Sequence, residues 1–277
     1  MDKSTQPVLV SIRCTVYNHA PYLRDCLDGF VKQKTNFRFE AVVHDDASTD
    51  GSAEIIKEYA DKYPDIIKPI LEVENQWSKH DGSIPRIMES NMSGKYIAIC
   101  EGDDYWTDEN KLQLQVDYME QNEDCSLCFH DVDVLSMKDG KIIKKFALPD
   151  KDRNYTSKHL FTKGWFVATT SILYRRQSLL KSSDFPDWAK IEGMGSDIKW
   201  QMFLSAKGYF HFIARTMGVY RFGVPGSATD RARGNKSKGH VAYLQFLSNA
   251  NKKLFGGKYT LYVWYNKARF FAKKLLS

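Results

Sequence analysis

Residues 100–106 read CEGDDYW and follow directly on the apolar run YIAI. Glu101, Asp103 and Asp104 thus fall within four positions at the end of a strand pattern, where carboxylates repel one another and resist desolvation. A single Asp at a strand end is ordinarily a turn former or a helix cap. Two adjacent acids with a third two residues back are a different case, because a cation among them relieves the repulsion. Oxygen ligands on such a turn suit Mg2+ or Mn2+, which keep waters and bridge to a substrate phosphate. A second acidic stretch, HDDASTDG over 44–51, ends another apolar run. Alone, ASTDG would be a loop with a helix cap. Acids at two strand ends on one rim point instead to a nucleoside-diphosphate site with a divalent metal. The chain has neither a GxxxxGK[ST] loop nor a GxGxxG turn. With no phosphate-cradling backbone, a metal becomes the natural neutraliser of the diphosphate.

These acids need a scaffold that brings strand ends together. VLVSIRCTV predicts a strand, followed by a helix in which Leu23, Leu27, Phe30 and Val31 keep helical spacing and Pro21 suits the first turn. FEAVVHDD predicts a second strand, and Ile55, Ile56, Tyr59 and Tyr63 form the stripe of a second helix. IIKPILEV and YIAIC continue as strands with a helix over 83–93 between them, then a helix over 111–122 and a strand over 126–135. Strands spaced by helices predict an α/β fold with a mostly parallel sheet, which binds ligands at the strands' carboxyl ends. The second half is less regular. Residues 164–176 predict a loop feeding a strand. A helix starts with Ser196 or Asp197 as N-cap and stops at Gly208. Two short strands follow over 209–214 and 218–222, then a Gly-, Ser- and Lys/Arg-rich loop over 223–239 that is expected to be mobile. The last forty residues predict one or two amphipathic basic helices.

Composition narrows the class. The chain has 277 residues, 43% hydrophobic and 27% charged, as in ordinary globular proteins. No apolar stretch reaches membrane-span length, and the N-terminus lacks a signal-peptide core, so a cytoplasmic location is expected. Five cysteines form no even framework, which fits a reducing compartment. Cys125 and Cys128 make a CxxC without a second pair, and small core residues are the expected reading. The net charge of +6 is concentrated late in the chain, interleaved with aromatics. Such a tail can meet nucleic acid, anionic lipid or a phosphorylated substrate. Nucleic-acid binding is disfavoured, because the basic residues avoid the strand-rich half and no binding module is recognised.

Three segments, VSIRCTVYNHAPYLRDCLDGFVKQ, FEAVVHDDASTDGSAEIIKEY and GKYIAICEGDDYWTDENKLQLQVDYM, together resemble the nucleotide-binding half of family 2 glycosyltransferases of the GT-A fold. The resemblance covers about residues 7–135, with a TYN-like turn, a DDxSxDG loop and a DxD-type segment in order. CEGDDYW is similar to a subset of bacterial members that assemble surface polysaccharides. The resemblance implies a Rossmann-like, mostly parallel central sheet flanked by helices, with a C-terminal helical extension. Residues 1–135 would form the nucleotide-sugar-binding half of one domain and 136–232 its acceptor-binding half, leaving 233–277 as the basic helical segment. A nucleotidyltransferase shares this sheet and metal logic, but it usually carries a Gly-rich, Arg- and Lys-bearing loop where this chain has TVYNHAPYL.

Residue roles are implied in the same way. Thr15 and Tyr17 would line the base pocket, and Asp45 would face the uracil edge with Asp46 beside it. Asp103 would hold the ribose or the metal, and Asp104 would be the metal ligand on the diphosphate of a UDP-sugar, with Mn2+ or Mg2+. Glu101 stands at the first acid of the DxD pattern. Arg86 lies where an arginine of the family approaches the donor. An inverting transfer needs a carboxylate base, implied at Asp197, with Glu192 a weaker candidate. A plain helix cap is the competing reading of Asp197. Arg221 would reach the diphosphate, with Gly223 at the family's usual histidine position and the 223–239 loop closing as a lid. Asp131 and Asp133 also have DxD spacing but lie within a strand. Trp165 is expected to stack on an acceptor sugar. The acceptor would be a glycan or lipid-linked glycan, reached by peripheral contact with the inner membrane, and no nucleic acid is expected as a partner.

Overall fold

The computed structural model describes residues 6–143, 146, 148–179, 184–192, 195–227 and 236–275. Ten strands form one sheet: β1 (Val8–Val16), β2 (Arg38–Asp45), β3 (Ile67–Leu71), β4 (Tyr96–Ile99), β5 (Tyr105–Trp106), β6 (Cys125–Ser136), β7 (Ile142–Ile143), β8 (Arg153–Tyr155), β9 (Leu173–Arg175) and β10 (Tyr209–Phe222). Among the described residues eight α-helices accompany them: α1 (Ala20–Val31), α2 (Ser52–Lys62), α3 (Ser83–Asn91), α4 (Lys111–Gln121), α5 (Ser157–Lys163), α6 (Ser196–Ser205), α7 (Lys236–Phe255) and α8 (Thr260–Leu275).

The sheet order is β3-β2-β1-β4-β9-β6-β10-β5. β3, β2, β1 and β4 run parallel, as do β6 and β10, while β9 is antiparallel to both its neighbours. Alternation along each strand feeds two cores. Ala41, Val43, Tyr96 and Ala98 pack with α1, α2 and α4, whereas Val42, Ile97 and Ile99 turn to α3, α5, α6 and α7. That two-sided burial is why β2 and β4 read as continuous apolar runs.

Parallel pairing aligns the carboxyl ends of β2 and β4 on either side of β1, so Asp45 and the turn after Ile99 share one rim. After that turn the chain crosses to the far edge, where β5 pairs with Gly218 and Val219 of β10. Trp106 anchors the crossing. It is buried against Phe30 at a ring distance of 5.0 Å, and its Nε1 donates to the Thr170 carbonyl at 2.8 Å. Gly29 of α1 permits this approach, because a Cβ there would lie 2.9 Å from the Trp106 carbonyl oxygen.

Two expectations are corrected. The strands expected over 209–214 and 218–222 are one strand, β10, bent by register shifts against β6 between Ile213 and Val219. The N-cap of α6 is Gly195, which places Ser196 and Asp197 inside the first turn. Residues 228–235 of the expected lid loop over 223–239 lie outside the described residues, and 236–239 already belong to α7. Cys125 and Cys128 are buried core residues of β6.

Candidate active site

The DDASTDG loop is stitched to the turn after β1. The Asn18 and His19 amides donate to the Ser48 and Ser52 hydroxyls, and the Ala20 amide to the Asp50 carboxylate. Asp50 also takes the Ser52 amide and hydroxyl. Burial raises its carboxyl, but these hydrogen bonds prevail and hold it below the ordinary value. Asn18 and Ala47 sit at φ 55° and 60°, a conformation side chains adopt at a cost and that this interlock sustains.

Within this frame Asp45 and Asp46 have separate jobs. Asp46 accepts the Gln76 and Trp77 amides at 2.6 and 3.1 Å, so its carboxylate holds the 75–77 segment. Asp45 accepts the Ser48 amide through Oδ2, while its buried Oδ1 has no hydrogen-bond partner among the described residues. A buried carboxylate oxygen left open is an acceptor waiting for a donor. Thr15 is half-buried and Tyr17 exposed on the same strand end.

The acid turn is closed by the Asp104 amide on the Glu101 carbonyl at 3.0 Å and tied to β1 by the Gly102 amide on the Thr15 carbonyl at 3.1 Å. Gly102 is required by closeness: a Cβ there would lie 2.9 Å from His19 Nδ1 and from a Val16 methyl. Burial pushes the Glu101 carboxyl up to about 7, with Asp103 and Asp197 adding repulsion and Arg13 and His19 opposing it. Burial likewise lifts Asp103 to about 6 against the Arg221 charge. Asp104 is held well above the carboxylate range, by burial first and Asp103 next. The turn thus carries more carboxyl groups than it can ionise together without a counter-charge.

Arg221 is committed to that turn. Its amide donates to Asp104 Oδ1 at 2.8 Å and its Nη1 to the Asp103 carbonyl at 2.9 Å, while Nη2 pairs with Asp25. Its guanidinium lies 4.4 Å from the Tyr105 ring and 5.2 Å from that of Tyr22. The sequence led us to expect Arg221 on the diphosphate; in the structure its contacts grip the acid turn. Arg86 is half-exposed and bonds to Asp81, to the backbone oxygen at 2.5 Å and the carboxylate at 3.3 Å.

Asp197 lies in the first turn of α6, and its charge adds to the repulsion that raises Glu101. Its own carboxyl is raised by burial, against the amides of Ile198 and of Asp197 itself. Glu192 is exposed on the preceding loop and does not join the cluster. Trp165 meets α6 at a small cavity shared with Ile198, Gln201 and Tyr243, so it lies beside the helix that carries Asp197. Asp131 and Asp133 stay within β6.

Sequence reasoning missed Arg13 and His19, and read Trp200 as a core or helix-packing residue. The Arg13 guanidinium stands 5.1 Å over the Trp200 ring, joining β1 to α6, and with His19 it supplies the positive field at Glu101. The available signal was a lone arginine inside an otherwise apolar central strand.

No three described His, Cys, Asp or Glu side chains converge on an all-protein metal cage. Asp103 and Asp104 offer adjacent hard oxygens with raised proton affinity. This donor set fits Mg2+ or Mn2+ when substrate phosphates and water complete the shell.

Comparison with known proteins agrees with this geometry. An uncharacterised protein of Mycobacterium tuberculosis is 36% identical over 237 residues, 83% of this chain and 65% of its own length. The chain thus spans just under two thirds of that relative. A putative teichuronic acid biosynthesis glycosyltransferase of Bacillus subtilis is 27% identical over 149 residues, 53% of this chain and 55% of its own. The fold is shared with Staphylococcus aureus TarS 1–349 in complex with UDP-GlcNAc, at TM-score 0.65 and 17% identity over 87% of this chain and 66% of that one. It is also shared with the mannosyltransferase PcManGT of Pyrobaculum calidifontis in complex with GDP-Man and Mn2+, at TM-score 0.59 and 18% identity over 91% and 67%. The model of glycosyl transferase family 2 matches residues 11–182, which hold both acidic strand ends and β9 between β4 and β6, and the chain belongs to that family.

Proposed function

We propose that the chain transfers a sugar, with inversion, from a UDP-sugar to a glycan or lipid-linked glycan in bacterial surface polysaccharide synthesis, on the cytoplasmic side of the inner membrane. The observation that supports this reading is the acid turn after β4, gripped by Arg221 and sharing one rim with the open Asp45 carboxylate. TarS with UDP-GlcNAc, PcManGT with GDP-Man and Mn2+, and the teichuronic acid relative support the donor class and the setting.

In this reading residues 1–135 hold the donor and 136–232 the acceptor. Asp45 Oδ1 takes a base N–H, and Thr15 and Tyr17 border the base. Asp46 serves indirectly by fixing the 75–77 segment, and Arg86 guards the donor's approach from α3. Asp103 and Asp104 would hold Mn2+ or Mg2+, which supplies positive charge for the leaving diphosphate. Arg221 keeps both acids in place. Asp197 takes the proton of the acceptor hydroxyl as its oxygen attacks the anomeric carbon from the face opposite the diphosphate, and burial makes it a stronger base than an exposed aspartate. Trp165 borders the acceptor beside α6, and Glu192 is the weaker candidate for the base.

The test is calorimetric titration with UDP, GDP and a nucleoside triphosphate, with and without Mn2+, on the wild type and on Asp104→Asn. UDP binding that needs both Mn2+ and Asp104 supports the reading. Binding indifferent to both, or none at all, removes its foundation.

A further inference from the structure

α8 packs on the domain by one face only. Val263 is buried, Asn266 Nδ2 donates to the Phe161 carbonyl at 2.8 Å, and Phe270 stacks on His240 at 4.5 Å. The opposite face should then be polar, as in any helix lying on a soluble domain. It is not. Leu261, Trp264, Tyr265 and Phe271 are 82%, 71%, 63% and 58% exposed, with Ala268 and Ala272 exposed among them. At 100° per residue these six fall within one arc of about 120°, bordered by Arg269 on one side and Lys267 on the other.

The charge around this stripe is one-sided. Eleven of the chain's 40 Lys and Arg, and none of its 34 Asp and Glu, lie after residue 230. The first 230 residues therefore carry 29 against 34 and are net negative, so the whole positive excess belongs to the segment that bears the stripe. Among the described residues no helix is long and apolar enough to cross a membrane.

We propose that the outer face of α8 is a membrane-docking surface that inserts Leu261, Trp264, Tyr265 and Phe271 into the headgroup region of an anionic phospholipid bilayer. Exposed aromatics with basic borders match that interface: rings settle at the depth where apolar and wet regions meet, and the cations face lipid phosphates. A second copy is a poor occupant, since a twofold contact would bring two acid-free basic helices together. RNA would use the cations but gains little from Leu261. The proposal rests on the functional reading only for the membrane setting of the acceptor, and it names the surface that reaches that membrane.

The test is co-sedimentation of the full chain with vesicles of phosphatidylcholine alone or mixed with phosphatidylglycerol, at low and high salt. We expect binding to the mixed vesicles only, weakened by salt. Leu261→Ser combined with Trp264→Ser is expected to lower the partition coefficient at least about tenfold. Arg269→Glu, which leaves the apolar stripe intact, lowers it less and flattens the salt dependence. Each protein is checked by its thermal melt and elution volume. A wild type that ignores anionic vesicles, or variants that bind as well as it does, overturn the proposal. So does a wild type that self-associates through this face or prefers RNA to vesicles. UDP titration of the same preparations reads the donor site separately, so either assignment can fail while the other stands.

Discussion

The main-chain amide of Arg221 donates to Asp104 Oδ1 while its side chain donates to the carbonyl of Asp103. One residue of β10 thus grips both halves of the acidic pair, and the Tyr22 and Tyr105 rings fix its guanidinium. Arg221→Gln keeps the amide contact but loses the fork. We expect the affinity for UDP with Mn2+ to fall by about 10- to 100-fold, as for other residues that orient a metal ligand. Arg221→Lys should not restore it, because an ammonium cannot serve Asp25 and the carbonyl in one plane. Asp25→Asn, at a carboxylate that is itself mostly solvent-exposed, should cost far less. Unchanged titration curves for Arg221→Gln would refute the clamp.

Asp197→Asn removes the proposed base while keeping the shape of the α6 first turn. Positioned general bases contribute about 10²–10⁴ in rate, so kcat should fall by that range with the UDP affinity unchanged. Were Asp197 only a helix-terminal residue, kcat would hold and the melting temperature would move instead.

Asp45 offers a different split. Its unpartnered Oδ1 is buried, so Asp45→Ala should weaken UDP by about 1–3 kcal/mol and leave pyrophosphate with Mn2+ unaffected. Equal losses for both ligands would place Asp45 on the phosphates or in the scaffold.

The first 135 residues were legible because their signals are short-range. Apolar runs, helical stripes and acids at strand ends each occupy a dozen residues, and parallel pairing around β1 turns strand ends into a rim. The later half depends on contacts distant in sequence. β10 looked like two strands because Ala214, Arg215 and Thr216 interrupt the apolar pattern where the strand bulges against β6. Nothing local announces that β9 wedges between β4 and β6, or that Arg13 finds Trp200 nearly 190 residues on. Asp46 and Arg221 were expected at the nucleotide, and the structure adds the hydrogen bonds by which each holds its neighbours in place. Only the partners, absent from any local window, distinguish those roles.

The pH response follows from the raised carboxyls. Glu101 at about 7 and Asp103 at about 6 bind protons in the folded chain that the unfolded chain, near 4 for carboxyls, releases. Their stabilising contribution is therefore full below about pH 4 and is lost as pH rises through 6 and 7. Mn2+ with UDP needs the ionised forms. The melting-temperature gain on adding both should accordingly be larger near pH 8 than near pH 6, read by thermal melts across that range. A gain that shrinks with rising pH would contradict the assignment of these acids to the metal.

Lys111 gives a prediction about stability alone. Its side chain is fully buried, Nζ has no hydrogen-bond partner among the described residues, and it lies 3.8 Å from the Trp106 ring centroid. Burial pushes its ammonium down to about 7. The folded chain thus binds fewer protons than the unfolded one between about 7 and 10.4, so this lysine's penalty is full below 7 and fades as pH rises through that window. Cation–π attraction returns about 2 kcal/mol, less than the desolvation of an unpaired charge. Lys111→Met keeps the length and apolar stem and should stabilise the fold by about 1–3 kcal/mol near pH 6, with the gain shrinking toward pH 10. Urea melts at both ends of that range measure it. A destabilised variant would mean that the ammonium's attraction to the Trp106 face outweighs its burial, and that the lysine holds β5 and the acid turn in place.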